Sequence, residues 1–227
     1  MTQHILLTGA SRGIGAAIAD TLKSGNRLFA ASSRDADLGA DGAAETLWDT
    51  ALRALDGRID ILVNNAGVFE ESPLDGDDWL ENWRRTLTIN LEASAILCRR
   101  AVLHWREAGS PGRIVNIASR AAHRGDSPAH WHYAASKGGM VAMTKTIARA
   151  YAREDILAFA ICPGFTMTGM AQDYLASRGG EQLLADIPLG RVATPEEIAA
   201  IVAFLAKDAP PSMTGAILDA NGASYVR

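Results

Sequence analysis

Close to the start of the chain an apolar run, Ile5-Leu6-Leu7, meets the turn Thr8-Gly9-Ala10-Ser11-Arg12-Gly13-Ile14-Gly15, and a helix-forming stretch follows over residues 16–23. A strand that passes through closely spaced glycines into a helix leaves few folds open. Glycine reaches positive φ and has no Cβ, so Gly9, Gly13 and Gly15 permit a sharp turn and the close approach of a pyrophosphate to the free amides of the helix start. The spacing Gly-x3-Gly-x-Gly departs from the commoner fingerprint Gly-x-Gly-x2-Gly. By itself the turn therefore also fits a glycine-rich helix start without a ligand.

The rest of the chain alternates strands and helices. Residues 26–34 form a short apolar run with a polar end, the pattern of a buried second strand. Residues 35–42 are turn-like, residues 43–55 predict an amphipathic helix, and residues 59–63 predict a buried strand that runs into Asn64-Asn65-Ala66-Gly67. From Asp78 to about Glu107 a long helix is expected, with Leu80, Trp83, Leu87, Leu91, Ala95, Cys98, Val102 and Trp105 as its core stripe and Asn90 beside it. A strand over 113–118 delivers Ser119, a helix runs from Tyr133 to about Arg153, and residues 156–161 form a strand ending at Cys162-Pro163-Gly164. Thr194 caps a helix that has Pro195 in its first turn and reaches about Lys207, and residues 216–218 close the sheet. The order implies an α/β fold: a single Rossmann-type, doubly wound parallel sheet with helices on both faces and ligands at the carboxyl ends of the strands.

Length and composition set limits on the function. A chain of 227 residues with 48% hydrophobic and 21% charged residues can bury one large core, so a single domain over residues 1–227 is expected. A net charge of -4 gives no basic footprint for nucleic acid and no polybasic anchor for a membrane. The uncharged stretch 156–171 is broken by Pro163 and Gly164 and is too short to span a bilayer, and a cytoplasmic location is expected. Cys98 and Cys162 lie far apart in sequence, with no Cys-x2-Cys spacing, so both read as buried free thiols and no metal is expected.

Tyr133 and Lys137 stand at i and i+4, on one helix face about a turn apart. A phenol beside an ammonium can exchange protons, because the cation favours the phenolate and draws its pKa down from about 10. None of the other three tyrosines has a lysine at i+4. Ser119, at a strand's carboxyl end, is placed to hydrogen-bond a reacting oxygen beside Tyr133.

Taken together, the glycine turn, Asn64-Asn65-Ala66-Gly67, Asn90, Ser119, Tyr133, Lys137 and Pro163-Gly164 in that order resemble the short-chain dehydrogenase/reductase family over nearly the whole chain, with a likeness to its 3-oxoacyl reductase-like members. The resemblance implies that Tyr133 is the catalytic acid/base, that Ser119 holds the substrate oxygen, and that Lys137 binds the nicotinamide ribose and tunes Tyr133. Asn90 would hold a water that links Lys137 to solvent. The cofactor would rest on Gly9, Ser11, Arg12, Gly13, Ile14 and Gly15, with Asn64, Ala66 and Gly67 on its adenosine side. Pro163, Gly164, Thr166 and Thr168 would lie on its nicotinamide side. A homo-oligomer, dimer or tetramer, is implied through the helix that starts near Asp78 and the one after Tyr133.

Two departures from the family pattern bear on the cofactor. Only Asp35 and Ala36 separate Arg34 from Asp37-Leu38, the pair that resembles the family's adenine contact, so the usual helix and third strand have no room and the sheet edge is expected to be cut back. Where the family's NAD-users carry an acid at the end of the second strand, this chain has Ser33, followed by Arg34 and faced by Arg12. Two guanidinium groups favour a 2′-phosphate, so NADP(H) is expected to be preferred, with NAD(H) as the alternative. A further departure, Asn221-Gly222-Ala223 in place of Asp-Gly-Gly, touches a turn.

The expected reaction interconverts a ketone and a secondary alcohol on a small-molecule substrate. Loops 68–79, 120–132 and 165–191 surround the nicotinamide and set specificity, and His123, Arg124, His130, Trp131 and His132 make the middle loop basic and aromatic. A 3-oxoacyl substrate, a small free ketone and a sugar all fit. The rival reading from another class is a catalytically idle nucleotide-binding sensor or scaffold, which has no need of Ser119, Tyr133 and Lys137.

Overall fold

The computed structural model describes residues 2–168 and 180–227. In chain order the elements are β1 (His4–Leu7), α1 (Gly13–Leu22), β2 (Arg27–Ala30), α2 (Ala43–Ala54), β3 (Ile61–Asn64) and α3 (Trp79–Leu87). A π-turn (Thr88–Glu92) leads into α4 (Ala93–Ala108), β4 (Gly112–Ile117), α5 (Ala121–Arg124), α6 (Trp131–Tyr151) and β5 (Ile156–Pro163). Then come α7 (Gly180–Ala185), α8 (Pro195–Ala203) with a second π-turn (Phe204–Asp208), and β6 (Ile217–Ala220). No helix among the described residues is long and apolar enough to cross a membrane.

All six strands are parallel, in the order β2-β1-β3-β4-β5-β6. Side chains alternate between the two faces of a strand. Ile5, Leu7, Ile61, Val63 and Val115 accordingly pack with Ile18 and Leu22 of α1 and with Ala199 and Val202 of α8. Leu6, Leu62 and Ile114 pack on the other face with Leu47 and Trp48 of α2, Leu97 and Trp105 of α4 and Ile147 of α6. Both faces are covered, as the apolar strands require. Strand order reverses between β1 and β3, so the crevice at their carboxyl ends lies between the glycine turn and Asn64-Asn65-Ala66-Gly67.

Two sequence expectations change in detail. Strand β2 ends at Ala30, short of Arg34, because Asp35 closes a turn. Its Oδ2 accepts from the Ser32 N–H and from the Ser32 hydroxyl, each at 2.8 Å. The chain then reaches α2 with no helix between Arg34 and Asp37, and β2 is the sheet edge, as the missing crossover predicts.

The long helix from Asp78 is not continuous. The π-turn at Thr88–Glu92 adds one residue to a turn and shifts the buried face N-terminal to it by one position. Thr86, Ile89 and Asn90 are buried there, whereas Leu80 is exposed and Trp83, Leu87, Leu91 and Ala95 are only half-buried. From Cys98 onward the stripe holds, with Cys98, Val102 and Trp105 buried.

Candidate active site

The glycine turn is braced from β3. Asn65 donates through Nδ2 to the carbonyls of Thr8 and Gly9, at 3.1 and 2.9 Å, while the Thr8 hydroxyl accepts from the N–H groups of Asn65 and Ala66, both at 3.0 Å. Gly9 has φ +68°, and a Cβ there would lie 2.7 Å from Ala66 Cα. Gly13 has φ +54°, with Thr168 Cγ2 2.9 Å from where its Cβ would stand. Arg12, in extended geometry at the start of α1, offers no side-chain cap, so the first-turn amides at Gly13, Ile14 and Gly15 are left without an intrahelical acceptor. Open amides in a cradle that a Cβ would fill fit a pyrophosphate. Ser11 is exposed beside them, and Ile14 packs on the core beneath.

At the catalytic end Ser119 follows β4 and is 7% exposed; its Oγ accepts from the Ala121 N–H at 3.1 Å. Its side chain lies toward Tyr133 of α6 and pulls the phenol pKa down. Lys137, one turn further along α6, is buried at 4% exposure with Nζ 5.8 Å from the Tyr133 ring centroid. Nζ donates to the Ile117 carbonyl at 2.8 Å, which leaves two donors for a diol. Tyr133 is half-buried, yet packing around its hydroxyl pushes its pKa up to about 12 against the pull of Ser119. Burial brings Lys137 down to about 8. The expectation that Lys137 draws the Tyr133 pKa below 10 is thus not met in this structure, because desolvation outweighs the favourable contacts.

Asn90 sits in the π-turn, fully buried, with both ends of its amide in use. Oδ1 accepts from the Val68 N–H at 2.8 Å, and Nδ2 donates to the Val68 carbonyl at 3.0 Å and to Ser136 Oγ at 3.3 Å. It pins the loop after β3 against α6. Gly67 lies in the same corner: a Cβ there would be 3.2 Å from Asn90 Oδ1 and 3.5 Å from Lys137 Nζ.

On the adenosine side, Asn64 points its side chain inward, donating to Asn116 Oδ1 at 2.9 Å and to Cys98 Sγ at 3.3 Å. Only its backbone and that of Ala66 and Gly67 border the crevice. Ser33, Arg34, Asp37 and Arg12 are exposed, and neither arginine has an ion pair among the described residues. Asp37 Oδ1 accepts from the Gly39 N–H at 3.0 Å, and Leu38 packs on the core that holds Trp48. Beyond Pro163, Gly164 is pressed against Asn221, and Thr166 is buried with Oγ1 donating to the Gly164 carbonyl at 3.3 Å.

Sequence reasoning missed Phe69 and the brace formed by Thr8 and Asn65. Phe69, 37% exposed, stands edge-on to Tyr133 at 4.7 Å between ring centroids and stacks on His130 at 4.0 Å. An aromatic next to Asn64-Asn65-Ala66-Gly67 at a strand's carboxyl end was the available signal. Within the basic loop, only His130 reaches Tyr133's surroundings in this way. Arg124 bonds Asp186 at 2.7 Å, His123 faces Cys162 at 3.5 Å, and Trp131 is 53% exposed. Part of the third specificity loop, residues 169–179, lies outside the described residues.

A family model described as "Enoyl-(Acyl carrier protein) reductase" matches residues 23–222. The chain belongs to the short-chain dehydrogenase/reductase family. It is 34% identical over 242 aligned positions to an acetoacetyl-CoA reductase of Shinella zoogloeoides, covering 99% of both chains. It is 36% identical over 243 positions to a D-threitol dehydrogenase of Mycolicibacterium smegmatis, covering 98% of this chain and 92% of that one. Among solved structures, the TT0495 protein from Thermus thermophilus superposes with a TM-score of 0.89 at 32% identity, covering 98% of each chain. A putative NAD(P)-dependent gluconate 5-dehydrogenase from Beutenbergia cavernae, with NADP bound at low occupancy, superposes with a TM-score of 0.87 at 31% identity, covering 97% of this chain and 95% of that one. As a member of this family the protein is a dehydrogenase/reductase acting on CH–OH and C=O groups.

Proposed function

We propose that this protein interconverts a ketone and a secondary alcohol with NADP(H), using Tyr133 as the acid/base. The observation that carries the reading is the meeting of Ser119 and Tyr133 with the buried ammonium of Lys137 beside them. The bound nicotinamide supplies or accepts the hydride. Tyr133, held protonated at neutral pH, gives its proton to the substrate oxygen in reduction and takes it back in oxidation. Ser119 donates a hydrogen bond to the same oxygen and fixes its position. Lys137 offers its free donors to a ribose diol and favours the phenolate that Tyr133 leaves behind, and Asn90 keeps the β3 loop and α6 in register around them.

Preference for NADP(H) rests on Arg12 and Arg34, two exposed guanidinium groups without an ion pair among the described residues, and on Ser33 where an acid would repel a 2′-phosphate. Of the carboxylates that could neutralise Arg34, Asp35 turns to Ser32 and Asp37 to Gly39, and Arg34 is only the last of the causes that lower the Asp35 pKa. The substrate is a small carbonyl compound or its alcohol that lies against the Phe69 and His130 rings. A panel of ketones and alcohols, followed by nicotinamide absorbance with each cofactor, tests this. Absence of turnover across acyl thioesters, polyols and cyclic ketones would leave an idle nucleotide-binding module.

The protein assembles as a dimer or tetramer through α3 and α4. Stacked Trp79 and Trp83 and exposed Leu80 and Leu103 supply the apolar surface that supports this. Sedimentation at micromolar concentration that finds only monomer overturns it.

A further inference from the structure

Behind Ser119, next to the nicotinamide-side residues Pro163 and Gly164, three side chains from three elements converge. His123 lies on α5, just after Ser119; Cys162 is the penultimate residue of β5; Asp219 is its register partner in β6. Register partners in neighbouring strands point to the same face, so Cys162 Sγ and the Asp219 carboxylate lie side by side, and His123 closes the group from above. His123 Nε2 is 3.5 Å from Cys162 Sγ and 3.9 Å from Asp219 Oδ1, and all three atoms lie within 4.8 Å of one another.

The arrangement differs from a proton relay. A relay places the acid on one ring nitrogen and the thiol on the other, whereas here both face the same nitrogen, Nε2. At 3.9 Å the acid is also beyond hydrogen-bond reach of that nitrogen. Three ligand atoms this close together instead fit a metal centre. Around a tetrahedral zinc, with bonds of about 2.0 Å to nitrogen and 2.3 Å to sulfur, the nitrogen and sulfur ligands stand roughly 3.5 Å apart.

The surroundings also suit ligation. Arg227 Nε holds Asp219 Oδ2 at 2.9 Å and so leaves Oδ1 turned toward His123. The ring of Tyr225 stacks on His123 at 5.7 Å and 6° and fixes the imidazole plane. Cys162 is fully buried and Asp219 is a quarter exposed, which gives an ion a path from solvent to the thiol.

We propose that His123, Cys162 and Asp219 form a binding site for a divalent cation of the zinc class, with a water as fourth ligand. Binding replaces the thiol proton: the S–H bond breaks, a metal–thiolate bond forms, and the proton leaves to solvent with no change in oxidation state. The paired charges of thiolate and carboxylate balance the dication. The ion ties the segment that carries Ser119 to the ends of β5 and β6, where the nicotinamide-side residues Pro163 and Gly164 begin.

The test uses the full chain freed of metal by a chelator. Zinc is titrated in competition with a chromophoric chelator, and cobalt(II) is titrated while thiolate-to-cobalt charge-transfer absorption is followed. One equivalent should bind, with that absorption present and the melting temperature raised. Cys162→Ser should abolish the absorption, and His123→Ala and Asp219→Asn should each weaken zinc binding by at least about tenfold. Melting of each variant without metal reports whether it still folds; should Cys162→Ser fail, the partly exposed Asp219→Asn decides. Absence of stoichiometric binding to the unaltered chain overturns the proposal, as does unchanged affinity in Asp219→Asn or in a folded Cys162→Ser.

Discussion

The two ends of the cofactor crevice are built differently. At the β4 and β5 end Ser119, Lys137 and Asn90 are buried, Tyr133 is half-buried, and all four are engaged with one another or with backbone at α6, β4 and the β3 loop. At the β2 end Ser33, Arg34 and Arg12 are exposed, and the backbone there is shaped by two carboxylates, Asp35 and Asp37. Proton transfer demands fixed geometry and a tuned environment, whereas discrimination of a phosphate needs only charge within reach. Substitutions at the first end should therefore act on kcat, and those at the second on cofactor affinity.

The largest effect is expected from Tyr133→Phe, which removes the transferable proton and keeps the ring against Phe69. Turnover should fall by roughly 10² to 10⁴ while NADPH binding by fluorescence titration changes little. A variant with nearly normal kcat would break the comparison at its stronger end.

Next in size is Arg34→Ala. A hydrogen bond to a charged group contributes about 1.5 to 3 kcal/mol, so affinity for NADPH should fall roughly tenfold to a hundredfold, with kcat and NADH affinity little changed. Comparing kcat/KM for the two cofactors, in the unaltered enzyme and in the variant, checks it. A native preference for NADH would remove the second half of the comparison.

A pH profile sharpens the contrast without mutation. Burial raises the Tyr133 pKa to about 12, so the protonated form dominates through the working range and alcohol oxidation must wait for its loss. Log kcat/KM for oxidation should climb with a slope of about one from neutral pH upward. Reduction uses the protonated phenol and should hold level until Lys137 loses its charge around pH 8. Cofactor affinity at the β2 end should stay flat over the same range, since no proton transfer is asked of that end. An oxidation rate independent of pH between 7 and 9 contradicts the burial of Tyr133's proton.

The same contrast governs what could be read from the sequence. Tyr133 and Lys137 follow from one helical turn, and Ser119 from the end of a strand, because local periodicity places them. The cut-back sheet edge was legible as well, since two residues cannot hold a crossover. The π-turn at Thr88–Glu92 was not: an inserted residue has no composition of its own, and it moved Leu80, Trp83 and Leu87 off the core. The inward turn of the Asn64 side chain was not legible either, because whether a side chain at a strand end faces ligand or core depends on partners as distant as Cys98 and Asn116. The meeting of His123, Cys162 and Asp219 is likewise a product of strand register, invisible in a chain where they stand far apart.

The smallest effect should come from a position outside both ends. Thr194 caps α8: its Oγ1 accepts from the Glu197 N–H at 3.3 Å, while Glu197 Oε2 accepts from the Thr194 N–H at 2.8 Å. Thr194→Ala removes one half of this box and should cost about 1 kcal/mol. For a chain of this size that is a fall of about 2 to 4 °C in melting temperature, with kcat and both cofactor affinities unchanged. Glu197 is also gripped by Arg191 through two bonds of 2.8 Å, and that contact, ahead of the Thr194 backbone, brings its pKa from 4.5 to about 2. A depressed carboxylate contributes stability that is present above its unfolded value of 4.5 and lost as pH falls through about 2. Thr194→Ala retains both the Arg191 pair and the backbone donor, so its melting temperature should keep the acid dependence of the parent between pH 4.5 and 2. Arg191→Ala should flatten that dependence. A loss of turnover in Thr194→Ala would instead show that the α8 cap holds the loop from Thr166 to Thr168, which it reaches through the Met167 N–H bonded to the Ala193 carbonyl at 2.7 Å, and would extend the catalytic end beyond α6.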